Sequence, residues 1–440
     1  MNIQFIVSPH GSLQGHHRVA GDKSISHRAI MLGALAEGTT QINGFLEGED
    51  TLCTLDAFRA MGVVIEKPAY GKVIIQGVGL HGLTAPKQPL YLGNSGTSMR
   101  LLAGLLAGQA FSVTMTGDAS LSKRPMRRVT DPLKLMGAEI ATNSVGTPPL
   151  HIQGQRLLKG IEYVMPIASA QVKSCLLLAG LYAQGTTCIV EPAPTRDHSE
   201  RMLMGFGYQI ERSDNRICIE SGHQLRAMSI EIPTDISSAA FFMVGASIAA
   251  GSDITLQHVG INPTRTGVIE ILRLMGADIQ LHNRRNMGGE PVADIQVRAS
   301  QLQGIQIPPA LVPLAIDEFP VLFIAAACAK GETRLTEAKE LRVKESDRIQ
   351  VMADGLQQVG IQTQPTADGI IIQGGQIQGG TVHSHGDHRI AMAFTIAALR
   401  ATQPITINDC ANVATSFPNF VSTAQAAGMN LQVLEKNCYE

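Results

Sequence analysis

Charged side chains cluster in short polar stretches of this sequence: IDEFP carries Asp317 and Glu318, and LRVKESDR carries Arg342, Lys344, Glu345 and Arg348. Carboxylates set among cations can act as general acids or bases. Cations recur beside small hydroxyl and amide residues: Lys23, Ser24 and Arg28; Asn94, Thr97 and Arg100; Ser169, Gln171 and Lys173; Asp387, His388 and Arg389. Two loops, SLSKRPMRR with Arg124 and LRVKESDR with Arg342, Lys344 and Arg348, add more. Such clusters suit a small substrate with two or more anionic groups, gripped by forked guanidinium contacts. GDKSISHR invites a P-loop reading, but a P-loop needs Lys directly after its second glycine, and here Asp22 stands between Gly21 and Lys23.

The elements that must carry these residues repeat along the chain. Six stretches share an apolar run, a small turn, a β-branched strand and a helix ending at a glycine. The closing glycines are Gly62, Gly137, Gly207, Gly276, Gly360 and Gly428, about 70 residues apart. Between them lie strand-turn-strand pieces such as KVIIQGVGLHGL and GIIIQGGQIQGGTV. The sixth repeat runs out before its own piece, and FIVSPHGSLQGHHRV near the N-terminus fits the vacant slot. The pattern therefore predicts two domains: residues 21–235, and residues 236–440 together with 1–20. Each repeat also opens on a helix with a polar first turn: GDKSISHR, GNSGTSMR, ASAQVKS, TDISSAA, IDEFPVL and GDHRIAM. Ser, Asp and Asn are good N-caps, and the run behind them is apolar nearly all round, as in a buried helix. Six such N-termini offer N–H groups and positive dipole ends to anions. The fourth, with only Asp235 and Ser237, is assigned no role.

Composition narrows the partners. The chain has 440 residues, a formal net charge of −2 and no Trp, which argues against nucleic acid and membrane surfaces. Its seven cysteines, Cys53, Cys175, Cys188, Cys218, Cys328, Cys410 and Cys438, are scattered with no C-x-x-C pair. That pattern predicts reduced thiols rather than a disulfide frame or a zinc site. The start, MNIQFIVSPH, lacks the marks of a signal peptide, and AAFFMVGASIAAG is too short to span a bilayer. A cytoplasmic protein is expected.

GDKSISHR, LGNSGTSMR, SKRPM, SAQVKS, IDEFP, LRVKESDR and DHRIAM, in this order from about residue 7 to 430, resemble the 5-enolpyruvylshikimate-3-phosphate (EPSP) synthase family. The resemblance implies an α/β fold: a two-domain inverse α/β barrel of six βαβαββ units, three per domain, with largely buried helices. It implies transfer of the enolpyruvyl group of phosphoenolpyruvate to the 5-hydroxyl of shikimate 3-phosphate, releasing phosphate, on the route to aromatic amino acids. No metal or organic cofactor is implied, the partners are these two small molecules, and a monomer is expected. Ser24 and Arg28 would hold the shikimate carboxylate, while Ser169 and Lys344 would meet its phosphate and Gln171 would lie between the substrates. Lys23, Gly96, Arg124, Arg348 and Arg389 would surround phosphoenolpyruvate. Asp317 matches the base at the attacking hydroxyl, and Glu345 the donor to the methylene carbon. The family's phosphoenolpyruvate pocket also takes the herbicide glyphosate.

Three positions depart from the commoner pattern. Ala170 stands where many relatives have a second serine, with Arg196 in PAPTRDHSERM as the candidate replacement; Thr415 stands for a lysine before the S-F-P motif; and Glu340 replaces an asparagine found in some members. Because Lys23, Arg28, Arg124, Ser169 and Gln171 fall in one domain and Asp317, Lys344, Glu345, Arg348 and Arg389 in the other, closure on the first substrate is also expected. Rival readings are the enolpyruvyl transferase acting on UDP-N-acetylglucosamine, a metal-dependent hydrolase built on HSHGDH (His383, His385, Asp387, His388), and a non-enzymatic repeat scaffold. The first opens with Lys-Asn where this chain has Lys23-Ser24, and normally has a cysteine in the loop that reads GDASLSKRPMRR here.

Overall fold

The polar-mouthed apolar segments fold as helices and the β-branched segments as strands, in a computed structural model that describes residues 2–154 and 157–436. Cys438 lies outside the described residues. Two compact units are present: a central one, Gly21–Ile232 with Met287–Glu290, and a terminal one holding the rest of the described chain.

Each unit is built from three small sheets. In the central unit the strand orders are Ser229–Glu231, Glu37–Asn43, Lys72–Val78, Val64–Ala69; Leu90–Tyr91, Val113–Thr116, Leu150–Ile152, Ile140–Ala141; and Glu162–Val164, Thr186–Val190, Arg216–Glu220, Ile210–Ser213. Every sheet joins one parallel strand to an antiparallel trio. The parallel strand comes from the connection leading in or out, so Ser229–Glu231 closes the set by pairing with Gln41–Asn43 of the first repeat. The terminal unit follows the same plan except in one sheet. There Glu332–Leu335, Ile370–Gln373 and Thr363–Pro365 form the antiparallel trio, and only isolated bridges, Gln306 with Arg334 among them, stand for the parallel strand. Elsewhere in this unit the N-terminal strand Asn2–Val7 lies antiparallel between Ile405–Asn408 and Leu431–Lys436, and Gln14–His17 pairs in parallel with Asp253–Leu256. The beginning of the chain thus completes sheets whose other strands come from the fourth and sixth repeats.

The first helix of each repeat is the buried one. All thirteen residues of Ile236–Ile248 are buried, as is the Lys23–Leu35 helix from Ile25 onward. An all-round apolar sequence leaves no face for water, so these helices line the inside of each unit while the sheets cover them. The second helices end at the six closing glycines, all with φ between 84° and 113°. That left-handed turn satisfies the last carbonyls of a helix and is open to glycine at little cost.

One expectation fails. Cys188 and Cys218 form a disulfide in the central unit. They face each other across the antiparallel strands Thr186–Val190 and Arg216–Glu220. Their pairing is a product of strand register, which cysteine spacing does not reveal. Cys53, Cys175, Cys328 and Cys410 are free thiols. No helix among the described residues is long and apolar enough to cross a membrane.

Candidate active site

The polar first turns are real caps. Asp22, Ser95, Ser169, Asp235 and Asp387 each accept a hydrogen bond from a backbone N–H of their own helix. This fixes where the residues just inside each helix point.

In the central unit, Lys23 opens the Lys23–Leu35 helix and its Nζ lies 2.6 Å from Asp50 Oδ2. Arg28, one turn further, is 5% exposed. Its guanidinium donates to Ser199 Oγ at 2.7 Å, Ser174 Oγ at 2.8 Å and the Ser24 carbonyl at 2.9 Å. Burial pulls its pKa down to about 10 against the support of Glu200 and Asp22, and nearby Arg196 adds to the fall. The groups that accept hydrogen bonds from Arg28 are neutral, and the Glu200 and Asp22 charges support it without such bonds. Ser169 caps the third mouth, Ala170 is the first residue of that helix, and Gln171 ties it to the Gly96–Ala107 helix of the second mouth. Gln171 Oε1 accepts from Arg100 at 2.5 Å and its Nε2 donates to Thr97 Oγ1 at 3.1 Å. Arg124 donates to Asn94 Oδ1 and, at 3.3 Å, to Ser120 Oγ. Gly96 lies under these guanidiniums: a Cβ there would stand 3.1 Å from Arg124 Nη1 and 3.2 Å from Arg100 Nη1. Lys173 is different from its neighbours. It is fully buried between Glu191 at 3.0 Å and Glu200 at 2.7 Å, so it supports the Arg28 side rather than facing outward.

In the terminal unit, charges gather on one guanidinium. Arg348, 1% exposed, donates to Asp387 Oδ2 at 2.8 Å and Glu345 Oε2 at 2.6 Å, and its Nη1 lies 3.5 Å from Asp317 Oδ1. Burial alone would lower its pKa, but Asp387, Glu345 and Asp317 outweigh that and hold it above its ordinary value. Burial likewise opposes ionisation of Asp387, and the Arg348 charge wins, keeping that carboxyl below the usual carboxylate range. Lys344 Nζ lies 3.5 Å from Asp317 Oδ1 and 3.5 Å from Glu340 Oε1. Arg389 Nη1 donates to the Asp317 carbonyl at 2.9 Å. Thr415 turns its hydroxyl to the Asn412 carbonyl at 2.7 Å.

In the terminal unit Asp317, Lys344, Glu345, Arg348 and Arg389 are in mutual contact. In the central unit Gln171 meets Thr97 and Arg100, and Gly96 lies against Arg100 and Arg124. Asp50, Ser174, Ser199 and Glu200 are supports that the sequence reading missed. Asp50 and Glu200 sit in the first turns of other helices, and only the fold brings them to Lys23 and Lys173. HSHGDH does not form a cluster. Asp387 is committed to Arg348 and to its own helix cap, and His388 Nε2 lies 3.1 Å from Ser416 Oγ. No group of three potential metal ligands occurs among the described residues.

Two units of three sheet-covered repeats, with anion-ready helix N-termini, define an enolpyruvyl-transferase type of architecture. The particular family follows from comparison. The profile of the family EPSP synthase (3-phosphoshikimate 1-carboxyvinyltransferase) matches residues 7–423, and the chain belongs to that family. A 3-phosphoshikimate 1-carboxyvinyltransferase of Nitrosococcus oceani is 70% identical over 430 residues, covering 98% of this chain and 97% of that one. One from Methylococcus capsulatus is 66% identical over 432 residues, covering 98% and 99%. The solved EPSP synthase of Acinetobacter baumannii superposes with a TM-score of 0.89 at 58% identity, over 99% of this chain and 100% of that one.

Proposed function

We propose that this chain transfers the enolpyruvyl group of phosphoenolpyruvate to the 5-hydroxyl of shikimate 3-phosphate and releases inorganic phosphate. The observation that carries this reading is the pair Asp317 and Glu345, both drawn to one buried guanidinium, Arg348, with Lys344 beside Asp317. Asp317 takes the proton of the 5-hydroxyl as its oxygen bonds to C2 of phosphoenolpyruvate. Glu345, in its protonated form, delivers a proton to C3, giving a tetrahedral intermediate. A proton then leaves the new methyl group, the C2–C3 double bond returns, and the C2–O bond to phosphate breaks. Lys23, Arg124, Arg348 and Arg389 stabilise the charge on this intermediate, with Gly96 leaving room beside Arg124.

Ser24 and Arg28 take the carboxylate of shikimate 3-phosphate; Ser169, Lys344 and Arg196 take its phosphate, Ala170 contributing only backbone, and Gln171 contacts both substrates. A monomer acting on small molecules in the cytoplasm goes with the reading, since both substrates are phosphorylated anions that do not pass a bilayer. A phosphate-release assay with each substrate omitted in turn tests it. Release that needs both substrates is expected; release from phosphoenolpyruvate alone, or none with both, would reject the reaction.

A further inference from the structure

The fifth helix mouth breaks the capping rule of the other five. Glu318 occupies the N-cap of Phe319–Cys328, yet its side chain caps nothing. It turns inward, fully buried, and accepts a hydrogen bond from Ser237 Oγ, the residue just inside the fourth mouth. Arg265, 3% exposed at its side chain, donates to the same Ser237 Oγ at 2.6 Å and to the fourth mouth's cap Asp235 at 3.1 Å. The fourth mouth, which carries no cation of its own, thus serves to hold Glu318.

Two guanidiniums face that carboxylate without close contact. Arg265 Nη2 lies 3.9 Å and Arg389 Nη1 3.8 Å from Glu318 Oε1. The second oxygen, Oε2, is buried and has no hydrogen-bond partner among the described residues. A buried carboxylate with an idle oxygen is costly to keep, and it is sustained here by charge more than by hydrogen bonds. The same Arg389 Nη1 donates to the Asp317 carbonyl at 2.9 Å, so that oxygen and the Glu318 carboxylate together set its direction.

From this geometry, and resting on the reaction proposed above, we infer that Glu318 is a positioning residue that tempers Arg389. Its negative charge weakens the grip of Arg389 on the phosphoenolpyruvate anion and keeps the guanidinium aligned beside Asp317. The two effects separate on substitution. Glu318→Gln keeps size and the Ser237 partner but removes the charge, so the anion should bind tighter while alignment suffers. Ser237→Ala keeps the charge and removes the hydroxyl that anchors Glu318 and is shared with Arg265.

The test is calorimetric titration of phosphoenolpyruvate alone, which cannot turn over without its acceptor, together with steady-state kinetics of the full-length variants. Glu318→Gln should lower the Kd and KM for phosphoenolpyruvate about three- to tenfold, as expected for losing a like charge several ångströms from the ligand, while kcat falls. Ser237→Ala should lower kcat with the Kd unchanged within about twofold. Merely structural damage would raise both KM values and lower the melting temperature. An unchanged or weaker Kd in Glu318→Gln, the same Kd change in both variants, or no binding to either protein would overturn the inference. A wild type inactive with both substrates would instead reject the reaction, and the phosphoenolpyruvate titration would still read the effect of Glu318.

Discussion

Arg28 of the central unit and Arg348 of the terminal unit are both buried guanidiniums on repeat helices, and they are held in opposite ways. Arg28 donates to two serine hydroxyls and a carbonyl. Arg348 is met by Asp387, Glu345 and Asp317. Burial therefore pulls the first down to about 10, while carboxylates push the second up. A cation placed among neutral dipoles keeps most of its attraction for an incoming anion. One already surrounded by carboxylates serves first to hold those carboxylates in place. The central unit is thereby suited to receive anions, and the terminal unit to aim acids and bases.

The largest expected effect tests the terminal half of this contrast. Asp317→Ala and Glu345→Ala should each cut kcat by about 10²–10⁴-fold in the phosphate-release assay, with Kd for shikimate 3-phosphate preserved in Glu345→Ala. Near-normal turnover in either variant would remove that residue from its proton role. Next comes Asp387→Asn, which strips Arg348 of its buried partner and should cost about 3–5 kcal/mol in urea unfolding near neutral pH. The pH dependence follows from the depressed carboxyl. Its contribution is fully present above the ordinary value of 3.8 and is lost as pH falls through the lower folded value. The acid limb of the stability curve, below about pH 4, should therefore be flatter in Asp387→Asn than in the wild type.

Smaller effects probe the central half. Ser199→Ala removes one hydroxyl from Arg28 and should raise KM for shikimate 3-phosphate about tenfold with kcat little changed, the usual worth of a hydrogen bond to a charged group. Equal losses in kcat would mean that Ser199 does more than orient Arg28. Gly96→Ala places a methyl 3.1 Å from Arg124 and 3.2 Å from Arg100, so both guanidinium ends must shift slightly. KM for phosphoenolpyruvate should rise a few-fold, and glyphosate, which competes for the same pocket in this family, should inhibit less. Unaltered inhibition constants would show that the guanidiniums yield without cost.

Much of this was readable from the chain because it depends on local rules. The six closing glycines announce themselves, since the left-handed turn they make admits few other residues. The caps Asp22, Ser95, Ser169, Asp235 and Asp387 are legible for the same reason: a short polar side chain before an apolar run has one obvious use. What stayed hidden depends on tertiary register. Cys188 and Cys218 meet only because two strands pair with those residues opposite each other. Ser199 and Ser174 reach Arg28 from another helix pair, and Glu318, an acid at a cap position, gives no local sign that it turns away from its own helix. Lys173 was legible as a mouth residue and misleading as such, because Glu191 and Glu200 enclose it.

The most direct test of the contrast is calorimetric titration of shikimate 3-phosphate into the wild type and into Arg28→Gln. Arg28→Gln should keep the fold and lose about a hundredfold in affinity, while Glu345→Ala, measured beside it, should bind as the wild type does. Undiminished binding by Arg28→Gln would contradict the assignment of Arg28 as the anion receptor and the division of labour drawn from it.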